Sequence, residues 1–322
     1  MPIRTRLTDK LGISHPIISA PMGFVAGGRL AAAVTNAGGL GLIGGGYGEA
    51  EWLKREFAAA GNTRVGCGFI TWSLRKQPQL LDFVLAHAPA AVMLSFDSLQ
   101  PFAKAIKDAG IELICQVQSM ARTREAVDAG ADIIVAQGGE AGGHAATRST
   151  FTLVPEVADH LAKRAPDTLL VAAGGVADGR GLAAALMLGA EGVLIGSRFL
   201  MSPEALFADG LRDAIARADG DATVKTRALD IVRNYVWPRE ITGRALRNRF
   251  VEDWYERESD LAQPDTQARE LKRYTGARDA GDAQNTGIFI GEAAGLINDV
   301  RPAAEIVARI IEEAERALTL KV

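Results

Sequence analysis

Eight short runs of apolar, largely β-branched residues punctuate the first two-thirds of the chain, and a stretch with helical spacing follows each one. The runs occupy 16–20 (PIISA), 39–44 (GLGLIG), 64–70 (RVGCGFI), 91–96 (AVMLSF), 111–117 (IELICQV), 131–137 (ADIIVAQ), 169–175 (LLVAAGG) and 191–197 (EGVLIGS). Near-continuous apolar strands of this length are what a parallel sheet buried on both faces requires. The stretches between them are amphipathic or alanine-rich, as in EAEWLKREFAAAG and SMARTREAVDAG. Three end in Ala-Gly or Leu-Gly just before the next run, a helix C-terminal stop. Several open on Ser or Asp, whose side chains accept from the free N–H groups of a first turn. Repeated strand-then-helix order means right-handed parallel crossovers. Eight of them within about 200 residues predict an α/β fold of the closed (β/α)8 TIM-barrel kind over an open doubly wound sheet.

After residue 202 the pattern changes. The segment 203–275 is rich in charge and shows no strand-like run, which predicts a helical appendage or second domain with a polar joint around 258–270. The stretch 276–322 ends in an amphipathic helix with Ile, Ala and Leu at helical spacing, expected to pack back on a barrel formed by 1–202.

Composition narrows the function classes. Apolar residues make up 48% and charged ones 23%, so a chain of 322 residues can bury a substantial core. A net charge of −3, with no basic aromatic patch, argues against a nucleic-acid partner. No apolar run approaches the roughly 20 residues of a membrane span, and the first residues lack the apolar core of a signal peptide. Cys67 and Cys115 both sit in apolar runs and read as small core residues of a reduced, cytoplasmic protein.

Glycine is the informative excess. The 35 glycines cluster at the ends of apolar runs, at 38–48, 138–144 and 172–181. There they let backbone approach a ligand or turn sharply. Barrel active sites are built by the loops that follow the strands. The seventh run ends in Gly174-Gly175 and the eighth in Gly196-Ser197, neighbouring strand ends that suit a phosphate. Backbone N–H groups of Gly175, Gly196 and Ser197, with the Ser197 hydroxyl, would point at it. Of four histidines, His144 alone follows a strand end inside a glycine run. Imidazole suits proton transfer near neutral pH, so His144 is the candidate base. Glu140 reads equally as a second acid–base group or as a helix cap. No metal-ligand spacing, nucleophile elbow or Walker A loop is present in the sequence, so a phosphorylated cofactor is expected to carry the difficult chemistry.

PIISAPMG, VAQGGEAGGHAATR, LVAAGGVADGRGLAAALMLGAEGVLIGSRFL and GEAAGLINDV together resemble the nitronate monooxygenase family, formerly the 2-nitropropane dioxygenases. The resemblance spans nearly the whole chain in order. It implies an FMN-dependent barrel that oxidises alkyl nitronates with dioxygen to carbonyl compounds and nitrite. It implies flavin-ring contacts from Ala20, Pro21 and Met22, FMN contacts from Gln137 and Gly142, and phosphate contacts from Gly174 and Gly175. Leu194, Ile195, Gly196 and Ser197 would complete the phosphate site, and His144 would take the proton of a neutral nitroalkane. Two positions depart from the pattern: Gly68 stands where many members carry an asparagine, and Ala145-Ala146 follow the histidine in place of Arg-Gly. The expected partners are a small-molecule substrate and dioxygen, with a homodimer left open. Competing readings are an NAD(P)H-dependent FMN reductase of the NADH:quinone or enoyl-acyl-carrier-protein type, and a non-enzymatic flavin carrier.

Overall fold

A computed structural model of the chain describes residues 3–319. Eleven strands run β1 (Ile17–Ser19), β2 (Leu40–Gly46), β3 (Gly66–Ile70), β4 (Ala91–Ser95), β5 (Glu112–Val117), β6 (Ile133–Gln137), β7 (Gly143–Ala145), β8 (Leu169–Ala173), β9 (Val193–Ile195), β10 (Thr223–Thr226) and β11 (Thr242–Leu246). Eight of them form a closed parallel barrel in the order β1-β2-β3-β4-β5-β6-β8-β9, and β9 pairs back onto β1 through Ile18 and Leu194. These eight coincide with the eight apolar runs.

The reason for continuous apolar sequence is visible in the packing. Alternate residues of each strand face opposite sides, and here both sides are buried. Ile18, Leu42, Met93, Ile114, Val135, Val171 and Leu194 fill the barrel interior, with Leu7 of the helix Arg6–Leu11 among them. Ile17, Ile43, Cys67, Val92, Cys115 and Ile195 face the surrounding helices. Full burial of a side chain such as Leu or Ile is worth roughly 1.5–3 kcal/mol, so a polar residue in either layer is costly. Both cysteines are free and buried.

Seven of the ring helices come next after their barrel strands, with only the short β7 intervening after β6. The eighth does not. The amphipathic helix Ala303–Thr319 lies against Gly179–Met187 and Gly28–Asn36, the helices after β8 and β1, and so occupies the last place in the ring. Its buried face is Ile306, Val307, Ile310 and Ala314. A Cβ at Gly179 would stand 2.3 Å from the backbone nitrogen of Ala314, so the two helices can close only over a glycine. The chain between the short helix Ser197–Leu200, which follows β9, and this helix is therefore an insertion within the last strand–helix unit.

That insertion corrects the expectation of a purely helical segment over 203–275. It holds β10 and β11, which join β7 in an antiparallel sheet ordered β10-β11-β7. Alternate residues of β10 and much of β11 are only half-buried, including Lys225 and Arg244. A strand with one polar face carries half the apolar signal of a barrel strand and is lost among surrounding charges. Its core gathers Val224, Leu229, Ala245, Phe250, Trp254 and Tyr274.

Candidate active site

The strand C-termini and the insertion enclose a cavity of ≈ 880 Å³, within the range of small-molecule and cofactor sites. Ala20, Pro21, Met22, Gln137, Gly142, His144, Gly174, Gly175, Leu194, Gly196 and Ser197 all line it. Residues from the ends of four strands, β1, β6, β8 and β9, thus meet at one place. Ile195 does not join them: its side chain is 1% exposed and points into the outer layer, and its carbonyl accepts from the Ala20 N–H at 2.8 Å.

His144 is not on a flexible glycine run, as its sequence context suggested. It sits on β7, opposite Gly243 of β11. A Cβ at Gly243 would lie 2.9 Å from the Phe289 ring, so the missing side chain makes room for the aromatic layer around the imidazole. The imidazole stacks on Trp237 at 3.6 Å between centroids and 5° between planes. Its Nε2 lies 2.9 Å from both carboxylate oxygens of Asp230. His144 and Asp230 side chains are 8% and 6% exposed. Burial holds the His144 pKa below the ordinary histidine value; Arg233 and Arg227 push the same way, and the Asp230 bond offsets only part of this. The ring is therefore neutral at neutral pH, with its proton on Nε2 facing a carboxylate that can only accept. Nδ1 bonds to no other described residue, and the side chain lines the cavity.

Asp230 also accepts from Arg233 Nη2 at 2.9 Å, and Arg233 Nε donates to the Leu229 carbonyl at 2.7 Å. The Arg233 guanidinium lies over the rings of Phe289 and Tyr235, at 5.0 and 5.1 Å. Tyr235 in turn stacks on Tyr47 at 3.8 Å. Helix Ala228–Val232 and the loop after it thus carry Asp230, Arg233, Tyr235 and Trp237 to the barrel mouth.

After β8, Gly174 and Gly175 adopt φ of 97° and 76°, a region closed to most side-chain-bearing residues. The N–H groups of Gly175, Val176, Gly196 and Ser197 donate to no other described residue. Ser197 Oγ accepts from Gly291 N–H at 3.0 Å and keeps its own proton to donate. The Gly174-Gly175 turn does not itself open a helix. Helix Gly179–Met187 starts four residues later, with Asp178 and Glu313 accepting from its first N–H groups.

Gln137 Oε1 accepts from the side-chain amides of Gln116 and Gln118, both at 3.0 Å, which leaves its own amide N–H groups for the cavity. Glu140 resolves to the capping role. Its carboxylate takes the Thr150 N–H at 2.9 and 3.0 Å at the start of helix Thr150–Arg164. Gly68 is explained by Pro21, since a Cβ at Gly68 would stand 2.3 Å from Pro21 Cγ. Among the described residues no group of three or more His, Cys, Asp and Glu is placed to hold a metal ion.

Known structures share this architecture. FabK from Thermotoga maritima superposes with a TM-score of 0.85 at 30% identity, covering 98% of this chain and 97% of that one. Nitroalkane oxidase from Streptomyces ansochromogenes superposes with a TM-score of 0.78 at 26% identity, covering 98% and 99%. Fold and site together define an oxidoreductase of the flavin-dependent barrel class. Sequence comparison then supplies the family. The nitronate monooxygenase model matches residues 4–64 and 59–313. The nitronate monooxygenase of Neurospora crassa is 36% identical over 345 residues, covering 94% of this chain and 89% of that protein. The chain belongs to the nitronate monooxygenase family. No helix among the described residues is long and apolar enough to cross a membrane.

Proposed function

We propose that the protein binds FMN and oxidises alkyl nitronates with dioxygen to carbonyl compounds and nitrite, with His144 as the base that admits neutral nitroalkanes. The observation that carries this reading is the His144–Asp230 pair, which holds a neutral imidazole with one nitrogen open to the same cavity as a set of unpaired backbone N–H groups.

The residues fit FMN. Unpaired donors at Gly175, Val176, Gly196 and Ser197, beside glycines in a conformation that leaves backbone exposed, suit a phosphate dianion. The backbone of Ala20, Pro21 and Met22, the amide of Gln137, and Gly142 and Leu194 line the space for a ring system. Bound FMN supplies electron transfer from substrate to dioxygen, which no side chain here supplies.

The protein's own part is the proton. In a neutral nitroalkane, His144 Nδ1 takes the α-hydrogen as a proton, the C–H electron pair moves into the C–N bond, and the charge settles on the nitro oxygens. Asp230 fixes the reactive tautomer and faces the imidazolium that forms. A preformed nitronate needs no base.

His144→Asn tests this. The variant should keep its flavin and much of its nitronate turnover while nitroalkane turnover falls by about 10²–10⁴. Equal losses on both substrates would make His144 a positioning residue. Anaerobic mixing separates the NAD(P)H reductase reading: rapid bleaching by NADH would support it, whereas a nitronate oxidiser is bleached by the nitronate.

A further inference from the structure

We infer that Arg233 is the residue that binds the nitro group, its guanidinium receiving the oxygens on which charge develops when His144 takes the proton. This rests on the nitronate reading above and adds to it an oxyanion subsite and its electrophilic residue.

Two of the five guanidinium N–H groups are used, one by the Leu229 carbonyl and one by Asp230. Nη1 has no acceptor among the described residues, is not one of the fully buried unpaired atoms, and belongs to a side chain lining the cavity. An arginine held by only part of its fork, in a pocket walled by Phe289, Tyr47 and Tyr235, presents the rest of the fork to a ligand. Planar two-oxygen anions match that geometry, and a nitronate is one.

The placement relative to His144 is the second observation. Both side chains bond Asp230 Oδ1 at 2.9 Å, and both pack on Phe289, so they are adjacent in one wall. A nitro group on Arg233 brings the carbon next to it towards the imidazole. Asp230 neutralises Arg233 in the resting site. Once the proton reaches His144, the imidazolium faces Asp230 and Arg233 faces the new oxyanion, so each developing charge has an opposite partner. Water-excluded donors aimed at developing charge are worth more than the same donors in solvent.

The test is ligand binding by the flavin-loaded protein, with benzoate as a planar oxyanion and benzamide as its uncharged counterpart. Both titrations are followed by Trp237-dependent fluorescence and flavin absorbance. Wild type should bind benzoate the more tightly. Arg233→Met should lose benzoate affinity by about 10²–10³ while changing benzamide affinity little. Arg233→Lys, which keeps the charge, should recover part of it. In turnover, Arg233→Met should raise the nitronate KM and lower kcat/KM for nitroethane. Equal weakening of both ligands in Arg233→Met and in Arg233→Lys would mean the residue only shapes the wall, and the assignment falls. Unchanged benzoate affinity overturns it outright. Charge-selective, Arg233-dependent binding in a protein that does not oxidise nitronates would leave the subsite standing and reject the reaction.

Discussion

Replacing Asp230 by asparagine isolates what the carboxylate does for His144. The change is isosteric, but one of the two oxygens now lying 2.9 Å from Nε2 becomes a donor. A hydrogen bond to a charged group is worth about 1.5–3 kcal/mol against about 0.5–1.5 for a neutral one. The difference, about 1–1.5 kcal/mol, is about one pKa unit. Because Asp230 raises the histidine pKa against burial, its loss lowers that pKa further. The acidic limb of kcat/KM for nitroethane should therefore move to lower pH by about one unit. The larger effect is tautomeric. If the new amide donates to Nε2, the ring proton passes to Nδ1 and no base faces the cavity; a comparable tautomer error in a serine protease triad costs about 10⁴ in kcat. Activity on nitroethane should fall by about 10²–10⁴, and on ethyl nitronate by less than about tenfold. Arg233 also loses its partner, and breaking a buried pair costs about 3–5 kcal/mol, so melting temperature and flavin content are measured alongside. Equal losses on both substrates, or a limb that moves upward, would refute the argument.

Three further outcomes follow from the geometry. Gly175→Asp, which places a side chain and a negative charge at φ 76° among unpaired N–H groups, should yield a folded, colourless protein; retained flavin would remove the phosphate assignment, and the flavin released from wild type by heat should chromatograph as FMN, not FAD. Gly68→Asn should displace Pro21 and lower stability by about 1–3 kcal/mol in denaturant melts, because its Cβ would stand 2.3 Å from the proline ring; an unchanged midpoint would show that Pro21 gives way freely. The folded His144 pKa lies below its unfolded value of about 6.5, so the unfolded chain binds the extra proton first as pH falls. Its contribution to stability is complete above that value and is lost as pH drops through the folded pKa, so melts of wild type and His144→Asn should diverge least at acid pH and most at neutral pH.

The barrel was legible because its strands are buried on both faces and therefore write themselves as uninterrupted apolar runs. That Gly174, Gly175, Gly196 and Ser197 line the cavity was legible because barrel sites are built by the loops that follow the strands. His144 stood out by residue type and by its glycines, although those glycines serve β7 and its crossing with 290–291, where a Cβ at Gly142 would lie 2.6 Å from Gly291 N. Asp230 left no comparable trace. It lies 86 residues further along, in ALDIVRNYVW, where no spacing marks a partner for a histidine. Arg233, Tyr235 and Trp237 were missed for the same reason: their meaning depends on a tertiary approach between the insertion and the barrel. Pro21 and Gly68 show the converse, a departure from family pattern that looks chemical in sequence and is steric in space.

The insertion leaves the barrel after β9 and rejoins it at the helix Ala303–Thr319, so both of its connections belong to one strand–helix unit. It behaves as a cassette. The groups proposed to hold the cofactor lie outside it, at 20–22, 137–142, 174–175 and 194–197, together with the base at 144. Those proposed to orient the base and grip the nitro group, Asp230 and Arg233, lie inside it with the aromatic wall of Tyr235, Trp237 and Phe289. Exchange of that one stretch would re-aim the histidine and re-line the wall, and it would reach the proposed phosphate site through the Gly291 N–H that donates to Ser197 Oγ. A lineage of such proteins can therefore inherit its redox chemistry from the barrel and change its choice of substrate in the cassette.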